Sequence, residues 1–313
     1  MMNRRHLLAA GAALPLAPAT ARAESHRAAA APQGLADAQR FEVGEIAVTV
    51  LSDGAIRLGP EVLQGIDAQG YATLMERQFR DPETFRAAVN GFLVETGDRR
   101  VLVDAGSGGA MGPDLGRLMA NLSAAGTAPE DISMLLATHL HPDHVGGAVN
   151  DGGAVFPNAE LVVHQADRDF WSGTAPDGSE SFFALAQSVL AAYGDRLRIL
   201  TGEEEVIAGI DALPLPGHTP GHTGYLLTSG DASLLIWADI VHVAPVQLAR
   251  PQVTIGFDVA PDTAAQTRAR ILDRAVADRL MIAGSHIDFP GMGHIARAEE
   301  GFRLIPAPYP YKA

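Results

Sequence analysis

The chain has no cysteine in its 313 residues. Disulfide bonds, thiolate metal ligands and a thiol nucleophile are therefore excluded, and thiol oxidation cannot regulate the protein. Basic residues are scarce as well. Against 37 Asp and Glu there are 23 Lys and Arg, a formal net charge of -14 with histidine neutral. Polyanions are repelled by such a surface, which argues against nucleic acid as a substrate or partner. Long apolar runs are also missing: the N-terminal one, from Leu7 to Thr20, is too short to span a bilayer comfortably and contains Pro15 and Pro18. The apolar content that is present, 47%, is ample for a large core, and the length suits one large α/β domain or two small ones.

The start, Arg4-Arg5-His6-Leu7-Leu8, is followed by an alanine-rich apolar run and the small-residue site Ala21-Arg22-Ala23. This reads as a twin-arginine export signal over residues 1–23, placing the protein in the periplasm or outside the cell with no stable membrane anchoring once the signal is removed. Its removal takes away three arginines and no acidic residue, moving the net charge from -14 to -17. Residues 24–40, rich in alanine with Pro32 and Gly34, read as a flexible leader, and residues 41–313 as the folded domain.

The densest chemistry lies at Thr138-His139-Leu140-His141-Pro142-Asp143-His144, directly after the apolar run Ile132 to Ala137. Four metal-capable side chains fall within six positions at the end of a buried strand. Imidazoles and a carboxylate suit zinc or a similar divalent ion, and alternation along an extended backbone sends His139 and His141 the same way. Asp143 and His144 follow on the turn, a geometry better suited to two ions than to one. Three more candidates end apolar stretches downstream: His218 in Pro216-Gly217-His218-Thr219-Pro220-Gly221-His222, Asp239 after Leu234 to Ala238, and His286 after Leu280 to Ser285.

This set resembles the metallo-β-lactamase superfamily in its dinuclear hydrolase form. Within it the chain is most similar to the methyl parathion hydrolase group, with quorum-quenching lactonases as more distant relatives. The similarity runs from about Phe41 to Tyr309 and includes Leu102-Val103-Asp104-Ala105-Gly106, Asp169-Phe170-Trp171 and Phe289-Pro290-Gly291-Met292-Gly293-His294-Ile295. The resemblance implies an α/β fold, the four-layer αββα sandwich, with the site where strands of both sheets end. It implies that His139, His141 and His218 hold one ion and Asp143, His144 and His286 the other, with Asp239 bridging, and it implies a homodimer. Two divalent ions, zinc first with manganese, cobalt or iron also accepted by these ligands, would share a hydroxide between centres roughly 3.5 to 4 Å apart. No serine nucleophile is then needed. His222 competes with His218, and the family pattern leaves it a supporting role. Asp104 is expected to orient a ligand imidazole; Asp53 is balanced between such work and a plain turn.

Met111, Trp171 and Phe182 fall where the resembling enzymes have an aromatic leaving-group pocket, with a thioether at Met111 in place of a ring. His242 stands where those enzymes usually carry an apolar residue and the lactonases a tyrosine. Facing the cleft, its imidazole would donate to a developing oxyanion or protonate a leaving alkoxide; on a strand between Val241 and Val243 it could equally point away. The resulting expectation is a dinuclear metal-dependent hydrolase of a small uncharged ester, a lactone or aryl ester. Phosphotriester hydrolysis and a non-catalytic periplasmic metal-binding protein are the alternatives. A zinc β-lactamase fits less well, because Asp239 supplies a bridging carboxylate and cysteine is absent.

The coarse element reading places a strand at Phe41 to Leu51, ending at Ser52-Asp53-Gly54, and a hairpin across Gly97-Asp98. It places helices at Leu115 to Ala125, Ser181 to Tyr193 and Thr263 to Leu280, the last capped by Asp262, and later strands at Glu160 to Val163, Ile210 to Leu215, Gly224 to Thr228 and Leu234 to Trp237.

Overall fold

The computed structural model describes residues 37–309. The export signal expected at residues 1–23, and the leader as far as residue 36, lie outside them. Alternation with both faces apolar sets the architecture. In Ile46–Arg57, Val48 and Val50 enter one core and Leu51 another. The same split divides Phe92 and Val94 from Leu93, Val101 and Val103 from Leu102, and Met134 and Leu136 from Leu135. A period of two with apolar residues at every position requires cover on both sides of the sheet.

That cover is a second sheet on one face and helices on the other. The first sheet holds seven strands in chain order: Ala38–Val43, Ile46–Arg57, Arg86–Thr96, Arg99–Val103, Met134–Leu136, Glu160–His164 and Leu197–Leu200. The second holds Glu204–Ile207, Ile210–Pro214, Thr223–Ser229, Ala232–Ala238, Met281–Gly284, Met292–Arg297 and Phe302–Pro306, also in chain order. Their facing sides share one core, in which Phe92, Val101 and Leu136 meet Tyr225, Leu234 and Ile236. Outside the first sheet, Leu118, Leu122, Phe183, Val189 and Tyr193 of two helices cover Leu93, Leu102, Leu135 and Leu161. Outside the second, Ile271, Leu272 and Ala275 of Pro261–Ala277 cover Leu235, Trp237 and Ile282. The result is the expected αββα sandwich, each fully buried aliphatic side chain contributing about 1.5–3 kcal/mol.

Pairing direction locates the site. Arg99–Val103, Met134–Leu136, Glu160–His164 and Leu197–Leu200 run parallel, as do Ala232–Ala238 and Met281–Gly284. Four of these strands release Asp104, His139, Asp239 and His286 just past their C-terminal ends, at the mouth of the inter-sheet layer.

Several boundaries differ from the sequence reading. Packing starts inside the expected leader, because Ala38–Val43 pairs with Ile46–Arg57 in a hairpin. The second strand continues beyond Asp53 through a register shift between Ser52 and Gly54. Only glycine fits there: φ is +135°, and a Cβ would lie 2.1 Å from the carbonyl oxygen of Asp114. The helix expected from Leu115 begins at Leu118, since the amides of Gly116 and Leu118 are both taken by the Asp53 carboxylate. The last long helix begins at Pro261 with Ala260 at its cap position, leaving Asp262 in the first turn rather than at the cap.

Candidate metal centre

Past Met134–Leu136 the chain is gripped before it reaches the first ligand. The amide and hydroxyl of Thr138 donate to Asp104 at 2.9 and 2.8 Å, and the amide of Leu140 donates to the buried Asp167 at 3.0 Å. His141 then takes the N-cap position of the one-turn helix Pro142–Val145, whose opening proline has no amide to leave unpaired and which presents Asp143 and His144. From the second sheet come His218, in the loop before Thr223–Ser229, then Asp239 after Ala238, and His286.

Two groups of donor atoms converge. His139 Nε2 lies 2.9 Å and His218 Nε2 3.0 Å from His141 Nδ1, with Asp239 Oδ2 3.3 Å from His218 Nε2. Nearby, His286 Nε2 is 3.5 Å from Asp143 Oδ2 and 3.1 Å from Asp239 Oδ2, while His144 Nε2 is 3.2 Å from Asp239 Oδ1. Both groups, His139-His141-His218-Asp239 and Asp143-His144-His286, have the spacing of a metal-binding set, and so does a third that overlaps them, Asp239-His242-His286.

The outer ring atoms show that cations fit. His144 Nδ1 donates to Asp104 Oδ2 at 2.7 Å, His218 Nδ1 to Asp258 Oδ1 at 2.9 Å, and His286 Nδ1 to the carbonyl of Ala88 at 2.8 Å. Each of these rings thus spends its Nδ1 proton outward and points Nε2 inward, the orientation of a metal ligand once Nε2 gives up its own proton. His144 Nε2 and Asp239 Oδ1 are buried with no hydrogen bond among the described residues. Both sets, with nitrogen and oxygen donors only, suit zinc, manganese, cobalt or iron alike.

Titration follows the same geometry. Burial, with His144 beside one and His218 beside the other, holds His139 and His141 well below the ordinary imidazole range. Burial also opposes a charge on His218, but Asp239 and Asp258 outweigh it and push its pKa up to about 9. Burial likewise opposes ionisation of Asp239, yet His144, His286 and His139 hold its carboxyl well below the usual range. In the metal-free protein, protons stand in for cations, and metal uptake must displace them.

His242 lies in the site. It sits in a turn after Ala232–Ala238 rather than on a strand, its amide donating to Gln247 Oε1 at 2.7 Å. The ring stacks on His286 at 5.0 Å, and Nε2 lies 3.1 Å from Asp239 Oδ2. It differs from the rings above in one respect: its outer nitrogen, Nδ1, is buried with no partner among the described residues. Burial pulls its pKa down to about 4, so the imidazole is neutral. His222 stands behind the centre, its Nδ1 donating to the Leu215 carbonyl at 3.0 Å and its Nε2 accepting from the Asp239 amide at 3.2 Å.

Above the two groups opens a cavity of about 180 Å³, walled by Ile56, Arg57, Leu58, Met111, Phe182 and Phe257 and floored by His141, Asp143, His218, Asp239, His242 and His286. Met111, Phe182 and Phe257 are 37%, 39% and 44% exposed, as a mouth requires. Trp171 is not part of this wall. It is 2% exposed, packed against Phe170 and Phe183, with its ring 5.2 Å from His141 on the protein side. Burial in the layer of helices outside the first sheet, not leaving-group contact, is its environment.

Asp53 proves to be a loop clamp: its carboxylate accepts from Ser107 N and Oγ, Gly116 N and Leu118 N, fixing the loop that carries Met111. Asp258, Asp167, Phe257 and Gln247 escaped the sequence reading. Asp258 lies 40 residues from the ring it orients, in an irregular loop with no periodic signal around it.

Comparison with known proteins agrees with this geometry. The family model described as metallo-beta-lactamase superfamily matches residues 85–286. An N-acyl homoserine lactonase of Bacillus sp is 32% identical over 36% of this chain and 39% of its own length, and one of Bacillus cereus is 28% identical over 38% and 42%. The chain thus aligns with about two fifths of the length of these curated relatives. Among solved structures, a hydrolase, AbOPH, in the beta lactamase superfamily aligns with a TM-score of 0.82 at 30% identity, covering 89% of this chain and 99% of that one. AidC, a dizinc quorum-quenching lactonase in complex with a product N-hexanoyl-L-homoserine, aligns with a TM-score of 0.84 at 26% identity, covering 88% and 99%.

Proposed function

The chain belongs to the metallo-β-lactamase superfamily, and from that premise we propose that it is a dinuclear metal-dependent hydrolase of uncharged carboxylic esters, lactones and aryl esters. The observation that carries this reading is the pair of ligand groups meeting at Asp239 on the floor of a small cavity with an apolar mouth. Two divalent ions bound there supply Lewis acidity and an activated water.

The chain's own residues do the rest. Ile56, Leu58, Met111, Phe182 and Phe257 desolvate an apolar acyl or aryl group and exclude water around the ester, and a net charge of -14 disfavours anionic substrates. Asp239 is fixed from behind by His222 and touches His144, His218 and His286, so it sets the spacing of the two groups. His242 is neutral and lines the same cavity, its Nε2 3.1 Å from Asp239 Oδ2; turned from that carboxylate to a bound ester, the same N–H would face the oxygen on which negative charge develops. A ligand role for His242 is disfavoured by its unpartnered Nδ1, because ligand imidazoles almost always donate that proton to a fixed acceptor. The lactonases among the relatives support lactones as the first substrates to try. The N-terminal twin-arginine segment supports export, which cell fractionation tests directly.

The test is hydrolysis of an aryl lactone, an aryl ester and a methyl phosphotriester by the metal-loaded protein. A lactone or ester preference that disappears on chelation supports the proposal; a dominant phosphotriester activity overturns the substrate assignment.

A further inference from the structure

Arg268 projects inward from the outermost layer, on helix Pro261–Ala277, and is 1% exposed. Its Nε donates to the carbonyl of Ile240 at 2.6 Å, and its Nη1 to the carbonyls of Pro251 and Val253, both at 2.8 Å. Its Nη2 lies 3.9 Å from Asp258 Oδ2. Asp258 is itself fully committed, Oδ1 accepting from His218 Nδ1 at 2.9 Å and Oδ2 from the amide of Ile255 at 3.1 Å.

These contacts bracket one segment. It begins beside Asp239, ends at Asp258, and carries His242 and Phe257 between them. Gln247 knits its interior, accepting from the amides of His242 and Val243 and donating to the Val253 carbonyl that Arg268 also uses. A buried cation is a costly way to staple a loop, since neutral side chains can satisfy carbonyls too. What a guanidinium adds is a planar fork that serves several acceptors in fixed directions while its charge faces a carboxylate. The only carboxylate in an ion-pair contact with it among the described residues is the one that orients His218.

We propose that Arg268 is a positioning residue of the metal centre: through Asp258 it fixes the aim of His218, and through the Ile240, Pro251 and Val253 carbonyls it holds the segment bearing Asp239, His242 and Phe257. The proposal rests on the dinuclear reading above. Outer partners of ligand imidazoles typically contribute about 10- to 100-fold in metal affinity, and that is the loss expected for the His139-His141-His218 group on substitution.

The experiment uses the full chain and cobalt(II) or zinc(II) alone as the probe. Stoichiometry is measured first on the wild type, then affinity by chelator competition for Arg268→Met, Arg268→Lys, Asp258→Asn and the Arg268→Met/Asp258→Asn double variant, with melting temperatures of metal-free and loaded forms. The expected result is two ions bound by the wild type and about 10- to 100-fold weaker retention of one of them in Arg268→Met and Asp258→Asn. Arg268→Lys should fall between, and the double variant should be less than additive, because the two side chains share the route through Asp258 to His218, and weaker than Asp258→Asn only by what Arg268 contributes through the segment's carbonyls. A plain loop staple instead lowers both melting temperatures equally and leaves metal affinity at the wild-type value; that result overturns the proposal, as does an additive double variant. If Arg268→Met fails to fold, Asp258→Asn and Arg268→Lys carry the same comparison. A wild type that binds fewer than two ions overturns the dinuclear reading itself, a separate and recognisable failure.

Discussion

Asp104 Oδ2 lies 2.7 Å from His144 Nδ1, and the same carboxylate accepts the amide and hydroxyl of Thr138. One side chain therefore aims a ligand of the second group while anchoring the strand end that delivers His139 from the first. Asp104 does this from a left-handed backbone, φ +60°, uncommon outside glycine and asparagine. Burial pushes its carboxyl up, against the pull of His144, so a charge is costly at the point that organises both groups. Asp104→Asn keeps the shape and removes the charge. It should weaken retention of one ion by about 10- to 100-fold, read as metal content after dialysis against graded chelator, with the other ion retained.

His242→Ala should lower kcat for a lactone or aryl ester by about 100-fold, the scale of one lost oxyanion donor, with two ions still bound. Unchanged kcat with full metal content would remove His242 from the mechanism. Loss of an ion would make it a ligand instead.

The metal-free protein should show a pH dependence of its own. In it the pKa of His218 is about 9, against about 6.5 in an unfolded chain. A raised folded pKa stabilises fully below the unfolded value and is lost as pH rises through the folded one. For this one group the loss is about 3 kcal/mol at most between roughly pH 6.5 and 9. Asp239, whose folded pKa is depressed, has the opposite sign: its contribution is present above about pH 4 and fades as pH falls further. Urea unfolding of stripped protein should therefore weaken toward pH 9. The loaded protein should strengthen over the same interval, because metal binding competes with protons.

Gly221 packs against the residue that joins two ligand loops. Asp167 accepts from the amides of Leu140 and Gly221, and a Cβ at Gly221 would sit 2.4 Å from the Asp167 amide nitrogen. Backbone cannot yield as a side chain does. Gly221→Ala should cost about 1–3 kcal/mol of stability and weaken metal retention with it, measured by denaturant unfolding and chelator competition on the same sample.

The aromatic residues around the site should separate by environment. Phe182→Ala and Phe257→Ala should raise KM for substrates with an apolar group and leave the melting temperature nearly unchanged, since both side chains stand at the cavity mouth. Trp171→Ala should cost about 3–5 kcal/mol of stability and reach activity only through the support it gives His141.

What the sequence revealed, and what it hid, divides along the same physical line. His139, His141, Asp143 and His144 are close in sequence, and Asp239 and His286 follow apolar runs, so strand ends alone marked them. Asp104 was legible for the same reason. Asp258, Asp167 and Arg268 were not, because each works through the fold: their partners, His218, Leu140 and Ile240, are brought to them by layer packing across 27 to 40 residues. Trp171 was misplaced for a related cause. Periodicity says that an aromatic on a short helix is buried on some face, and only the packing of Phe170 and Phe183 shows that the face turns away from the cavity. Helix starts at Leu118 and Pro261 shifted because Asp53 and Pro261 decide them, one through a distant carboxylate and one through ring geometry.

The most direct test of the central claim is the rate of aryl lactone hydrolysis as a function of bound metal, comparing wild type with Asp239→Asn. Activity should rise to a maximum at two ions per chain and be lost in Asp239→Asn together with the second ion. Full activity at one ion per chain, or lactone hydrolysis surviving in Asp239→Asn, would contradict that claim.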